Sequence, residues 1–218
     1  MTYEEIRRDH AIAVYIAQAD ASLEALGFTE HSFPHVTRVA SSAAYLLEKL
    51  EFDDRQVELA KIAGYLHDIG NIVNRVDHSQ SGAVMAFRIL DRMDFPPEEI
   101  AVIVSAIGNH DEGTGVPVNP VAAALIIADK SDVRRSRVRS RKDIQTDIHD
   151  RVNYAVTCSS LEIFPEEGQI LLTLTIDPEI SSVMEYFEIF TKRMLLCRKA
   201  AQALGCAFRL NINGQIVA

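Results

Sequence analysis

The feature that most constrains the fold of this chain is a histidine beside an aspartate, at the end of an apolar, helix-periodic segment. One face of that segment carries small or apolar residues at i, i+3, i+4 spacing, Val57, Ala60, Ala63 and Gly64, and His67 continues the same face. Burying the neighbouring His67–Asp68 pair is costly unless a charged partner compensates it. A divalent metal ion is such a partner, so the fold is expected to bring further ligands to this point.

More candidate ligands lie on or beside other apolar helices. His35 is in the first turn of one predicted helix, and His78 begins another. His110 follows the end of a third, and Asp129 lies in the third turn of a fourth, after a run of alanine, leucine and isoleucine. An ionised aspartate after such an apolar run needs a buried partner.

Three segments carry a resemblance to a known family: His35-x-x-Arg38-Val39-Ala40, Leu66-His67-Asp68-Ile69-Gly70 and Ile127-Ala128-Asp129-Lys130. They resemble the H…HD…D motif of the HD-domain metal-dependent phosphohydrolase superfamily, over about residues 30–140. The resemblance implies a mainly α fold built on an HD-domain helical bundle. It also implies a metal site whose core ligands are His35, His67, Asp68 and Asp129, with Asp68 bridging two ions.

His78 and His110 match the additional ligands of the six-ligand H…HD…H…H…D members, which implies a binuclear metal site. Histidine and carboxylate together bind Mn, Fe, Ni, Co or Zn, so the expected cofactor is two divalent transition-metal ions. The cysteines lack paired metal spacing and do not predict a structural zinc site.

Two ions held in this way can generate a hydroxide at neutral pH and hold a phosphoryl group from both sides. The predicted function is therefore metal-dependent hydrolysis of a phosphomonoester or phosphodiester, with a nucleotide as the expected substrate. Attack on phosphorus by the hydroxide would be assisted by Asp68 and Lys130. Two alternatives stay open at this point: a di-iron HD-type oxygenase, and a non-catalytic nucleotide- or metal-binding regulatory protein.

Basic residues concentrated after Asp129 are candidates for phosphate binding in a chain whose net charge is −9. Lys130 and Arg134 are the expected substrate-binding residues of this segment, and Arg75 is a further candidate between the two histidine motifs. If the segment is helical, Lys130, Arg134, Arg137 and Arg141 share one face. The alternative is a solvated face paired with acidic groups of the protein, and the role of residues 134–142 stays open.

Other polar residues offer weaker candidates. His31 precedes the same helix as His35 and could replace it as first ligand, although His35 fits the family's spacing to Arg38. Asp111 and Glu112 follow His110, where one could act as a proton shuttle or both could be surface acids.

Net charge, hydropathy and cysteine content limit the possible partners and the location of the protein. Its acidic charge disfavours non-specific binding to nucleic acid or an anionic membrane, and no specific nucleic-acid binding is expected. No apolar run approaches the length of a membrane span, and three sparse cysteines suit a cytoplasmic protein. Residues 1–145 are predicted to form the helical domain. Residues 146–218 are predicted to form a small α+β unit of β-β-α-β order, with strands over 152–164 and 169–176. A homodimer through this unit is expected, because its sheet leaves an open edge and its long helix has an apolar stripe.

Overall fold

The structure, a computed structural model, describes residues 1–139, 144 and 146–217. Its helices are α1 (Tyr3–Arg8), α2 (His10–Ala25), α3 (Phe33–Lys49), α4 (Asp54–Leu66), α5 (His78–Arg92), α6 (Pro97–Gly108), α7 (Pro120–Lys130), α8 (Ile148–Ala155) and α9 (Val183–Ala203). Its strands are β1 (Val156–Phe164), β2 (Gln169–Ile176), β3 (Ala207–Ile212) and β4 (Gln215–Ile216). The mainly α fold with a small C-terminal α+β unit is therefore confirmed.

The strands form one sheet in the order β1-β2-β3-β4. β1 and β2 pair antiparallel as a hairpin, whereas β2 and β3 pair parallel, with α9 as the connection between them. β4 adds a short antiparallel edge that the predicted β-β-α-β order did not include.

Helix α7 is the centre of the molecule. Every residue from Val121 to Ala128 is buried, because α7 packs against α3, α4 and α6 and also against α9. A helix without a polar face is stable only when it is surrounded in this way. Asp129 and Lys130, at its C-terminal end, are consequently held inside the protein.

Two glycines let helices approach closely enough to bring the histidines together. A Cβ atom on Gly64 of α4 would lie 2.7 Å from the Cα atom of Ala40 on α3. A Cβ atom on Gly70 would lie 2.0 Å from the carbonyl oxygen of His78 at the start of α5. Neither approach is possible with a larger residue unless the backbone moves.

Two details of the sequence prediction are wrong. Thr2 followed by Glu5 predicts one N-terminal helix that runs to about Leu26, but the chain breaks at Asp9, whose side chain accepts a hydrogen bond from the Ile12 amide and begins α2. The first strand was expected from Val152, but that residue belongs to α8, which Asp147 caps. The condition for a shared basic face is not met over the described residues, because α7 ends at Lys130 and residues 131–139 are not α-helical.

The predicted division at residue 145 and the homodimer stay predictions. The apolar stripe of α9 has partners within one chain, since Phe190, Met194 and Cys197 are buried and α9 packs on α7 and β3. β1 is still a sheet edge. Among the described residues, no helix combines the length and apolar character that crossing a membrane requires.

Candidate metal centre

The first histidine pair of the site consists of His35, in the first turn of α3, and His67, directly after α4. Both side chains are fully buried, and their Nε2 atoms lie 3.3 Å apart. Asp129 Oδ1 lies 3.4 Å from the Nε2 atom of His35 and 3.7 Å from that of His67. Donor atoms from three separate helical segments therefore converge within 4.8 Å of one another.

The second histidine pair consists of His78, at the start of α5, and His110, directly after α6. Their Nε2 atoms lie 3.2 Å apart, and both residues are buried. The two helices are packed against each other, which fixes the separation of the two rings.

The carboxylate of Asp68 lies between the two pairs and presents one oxygen to each. Its Oδ2 atom lies 3.5 Å from His35 Nε2 and 3.2 Å from His67 Nε2. Its Oδ1 atom lies 3.5 Å from His78 Nε2 and 4.0 Å from His110 Nε2. All six predicted ligand residues thus form one histidine–aspartate cluster, with Asp68 in the position of a bridge.

Hydrogen bonds orient every imidazole so that its Nε2 atom faces the cluster. The Nδ1–H groups of His67, His78 and His110 donate to the backbone carbonyls of residues 64, 75 and 107, at 2.8, 3.1 and 2.6 Å. His35 Nδ1–H donates instead to a carboxylate, Asp132 Oδ2, at 2.7 Å. A proton fixed on Nδ1 leaves a lone pair on Nε2 for a metal.

This arrangement fits bound metal. Two facing Nε2 lone pairs repel unless a proton or cation lies near them. Imidazoles bound to one tetrahedral ion at about 2.0–2.1 Å have nitrogens about 3.3–3.4 Å apart, close to the separation in both pairs. Histidine with carboxylate is also the donor set that divalent transition metals prefer.

Electrostatics at the cluster favour a cation. Burial lowers the pKa of His67, but the carboxylates of Asp68 and Asp129 outweigh burial and raise it to about 10. Burial and neighbouring positive charges hold the pKa of His110 well below its usual value, so that imidazole is neutral. Despite their burial, the pKa values of Asp68 and Asp129 lie well below normal because cationic neighbours surround them.

Asp132 is part of the site and was missed in the sequence. Its carboxylate is buried and contacts Arg38 Nε at 3.1 Å and Arg134 Nε at 2.9 Å, besides His35. Burial raises the pKa of Asp132, but His35, Arg137 and Arg134 outweigh burial and lower it, so the acceptor that orients His35 is ionised. The signal that could have revealed it is an acid three residues after Asp129, inside an otherwise basic run.

Lys130 lies beside the cluster but is already paired. Its Nζ atom lies 2.7 Å from Asp129 Oδ2 and 2.7 Å from Glu112 Oε2. Burial lowers the pKa of Lys130, but these two carboxylates outweigh it, and the pKa is raised. The pKa of Glu112 is lowered in turn by Lys130 and Arg193 despite burial, so Glu112 is an ionised partner rather than a poised proton shuttle.

The other predicted basic residues lie in different places. Arg75 lines the cavity above the cluster, with its guanidinium 5.6 Å from the Phe28 ring centroid. Arg134 is not among the described residues that line this cavity, and its side chain pairs with Asp132 and Glu30. Arg137 lines the cavity but is buried and donates to the carbonyl oxygens of Glu30 and Asp132. Arg141 and Lys142 lie outside the described residues.

The cavity over the cluster has a volume of about 380 Å³. Its wall includes His31, whose Nδ1–H donates to the Thr29 carbonyl at 2.6 Å. Of the two candidates for first ligand, His35 has its Nε2 atom within the cluster, whereas His31 lies beside it. Residues from α8 and α9 complete the wall, including Asn153, Phe190 and Arg193. The volume is that of a site for a small molecule.

Comparison with known proteins identifies the family. The chain matches the HD domain over residues 33–151, more than half of its length, and it belongs to this family. The resemblance predicted from the three sequence segments is thereby confirmed at the level of the superfamily. The match ends before β1, so the sheet and α9 lie outside it.

Two relatives illustrate the similarity. An uncharacterized protein of Methanocaldococcus jannaschii is 26% identical, over 64% of this chain and 62% of the relative. The chain thus spans less than two thirds of the length of that curated relative. The crystal structure of a predicted HD superfamily hydrolase from an uncultured Thermotogales bacterium is 26% identical, with a TM-score of 0.47, and the match covers 60% of this chain and 73% of that one.

Proposed function

We propose that this protein is a metal-dependent phosphohydrolase acting on a phosphomonoester or phosphodiester, with a nucleotide as the expected substrate. The single observation that carries the proposal is the position of Asp68. One carboxylate oxygen faces each histidine pair, which is the arrangement a carboxylate needs in order to bridge two ions.

In this proposal His35, His67, Asp68 and Asp129 hold one divalent ion, and His78, His110 and Asp68 hold a second. Bound divalent ions supply Lewis acidity, which lowers the pKa of water and polarises a phosphoryl oxygen. The Nδ1 hydrogen bonds keep each imidazole in place, so little reorganisation is needed when the ions and the substrate bind.

Lys130 and Arg75 are the proposed substrate-binding residues. Lys130 shares Asp129 with the cluster. Its ammonium charge would be less compensated, and available to a phosphoryl oxygen, if Asp129 held a metal ion. Arg75 stacks on Phe28 at the cavity wall and has a hydrogen bond to Asn71 at 3.3 Å. The substrate-binding role of Arg134 stays a prediction. Its contact with Asp132 supports an indirect role, because Asp132 accepts the hydrogen bond that orients His35.

A phosphoester panel tests this function. Full-length protein loaded with Mn²⁺ should hydrolyse at least one phosphoester class, releasing inorganic phosphate from a monoester or a phosphomonoester and an alcohol from a diester, and a chelator should abolish the reaction. His67→Ala should abolish it too, whereas Lys49→Ala, an exposed lysine far along α3 from His35, should not. Absence of hydrolysis products from both mono- and diesters, or oxygen consumption by iron-loaded protein in place of hydrolysis, would contradict the proposal.

A second test separates Lys130 from general structural effects. Lys130→Ala should impair nucleotide substrates more than small aryl phosphates, since a nucleotide with more than one phosphate carries phosphoryl charge beyond the reacting group for a positioned cation to bind. Equal losses on both substrate types would remove Lys130 from substrate recognition.

A further inference from the structure

Arg193 of α9 lies outside the segment that matches the HD domain, yet its side chain lines the cavity over the cluster. It shares that cavity with Asp68, His78, His110 and Asp129. The packing of α9 on α7 places it there. A residue of the C-terminal α+β unit therefore reaches the same space as the proposed metal ligands.

The guanidinium of Arg193 is fixed on two sides. Its Nε–H donates to Glu112 Oε1 at 3.0 Å, and its central carbon lies 4.5 Å from the centroid of the Phe190 ring. Neither terminal Nη group donates a hydrogen bond within the part of the chain that the structure describes. Arg193 is thus a preorganised cation with unpaired N–H donors, the geometry that suits two oxygens of one phosphate.

Lys130 and Arg193 differ in how fully their charges are compensated. Asp129, Lys130, Glu112 and Arg193 alternate in sign along a chain of contacts at 2.7, 2.7 and 3.0 Å. Lys130 lies between two carboxylates, whereas Arg193 has only Glu112, which it shares with Lys130. Arg193, at the end of this chain, is therefore the cation whose charge is less compensated and which has more donors left for a ligand.

We propose that Arg193 binds phosphate oxygens of the substrate, so that α9 completes the active site and the C-terminal unit helps to determine specificity. This inference rests on the proposed function, since it places the substrate phosphate in the cavity over the cluster. Phe190 acts with it as a positioning residue, because its ring holds the plane of the guanidinium.

Calorimetric titration of full-length, Mn²⁺-loaded protein with inorganic phosphate tests the inference without requiring turnover. Arg193→Gln should weaken phosphate binding by about 10- to 100-fold, the usual effect of losing charge-assisted hydrogen bonds. Arg193→Lys keeps the charge but not the planar fork, and it should restore only part of the affinity. The matched control is Arg198→Gln, an exposed arginine on the same helix outside the cavity, which should bind as the wild type does.

Wild-type phosphate affinity in a folded Arg193→Gln protein would overturn the inference. If that variant does not fold, Arg193→Lys decides, and unchanged affinity in it would overturn the inference equally. Phosphate binding that depends on Arg193 in a protein without phosphoesterase activity would contradict the proposed function alone. Turnover whose KM is unchanged in Arg193→Gln would contradict the inference alone.

Discussion

Replacing Gly70 by alanine should separate α5 from the rest of the site and remove the second proposed ion. A Cβ atom at residue 70 would lie 2.0 Å from the His78 carbonyl oxygen and 2.4 Å from the Gly82 amide nitrogen. Both are backbone atoms, and ordinary contact begins at 3.4 Å, so going from 2.0 to 3.4 Å means a shift of about 1.4 Å at the start of α5. His78 Nε2 would then leave its position beside His110.

The expected loss of stability is about 2–3 kcal/mol, near the upper end for overpacking. That corresponds to a fall in Tm of about 4–12 °C for a chain of this size. Scanning calorimetry measures the fall in Tm. Elemental analysis measures the metal content, which should be one ion per chain in place of two.

Gly108→Ala is the matched control, because its Cβ atom would lie an ordinary 3.6 Å from the Ala83 Cβ atom. It should be neutral or stabilise the protein by up to about 1 kcal/mol, the helix preference of alanine over glycine. A Gly70→Ala protein with wild-type Tm and metal content would refute this account of how α5 is positioned.

Three further predictions concern the ligands and the C-terminal helix. Asp132→Asn should lower affinity for the ion at the His35–His67 pair by about 10- to 100-fold, measured by competition with a chelating dye; unchanged affinity would exclude Asp132 as a positioning residue. His78→Ala should keep one ion and lose the other, and a single ion in metal-replete wild-type protein would contradict two sites. Hydrogen bonds from Ser182 and Arg151 lower the pKa of Glu185 to about 2 from 4.5, so its contribution to stability is complete above about pH 4.5 and disappears as the pH falls towards 2. The Tm difference between wild type and Glu185→Gln should shrink over that range, and a constant difference would show that the carboxylate charge is not involved.

The cluster could be predicted because each of its members is a polar or charged residue next to an apolar helix, where burial is unfavourable. A histidine or aspartate at the end of an apolar helix is costly to bury, and His35, His67, His78, His110 and Asp129 each occupy such a position. This pattern is local in the sequence, so it can be recognised without knowledge of the tertiary fold. The pairing of these residues into two sets around Asp68 is tertiary, and only the family resemblance suggested it.

The errors have physical causes of two kinds. The break at Asp9 and the start of α8 at Asp147 were detectable, because each aspartate is an N-cap that accepts amide hydrogen bonds at the next helix. The apolar residues after Val152 favoured a strand over that short helix. Arg193 could not be found in the sequence, since nothing near it in the chain indicates that α9 packs on α7 and delivers a guanidinium to a cavity lined by α5 and α7.

The most direct test of the central claim is hydrolysis of the best phosphoester substrate in ¹⁸O-labelled water under anaerobic conditions, with Mn²⁺-loaded protein. The account predicts that hydrolysis proceeds without dioxygen. Each phosphoryl product of one turnover, phosphate from a monoester or a phosphomonoester from a diester, should carry one ¹⁸O atom from water, because water attacks phosphorus. An unlabelled phosphoryl product would show that the bond broken is carbon–oxygen rather than phosphorus–oxygen, and a requirement for dioxygen would show that the enzyme is an oxygenase.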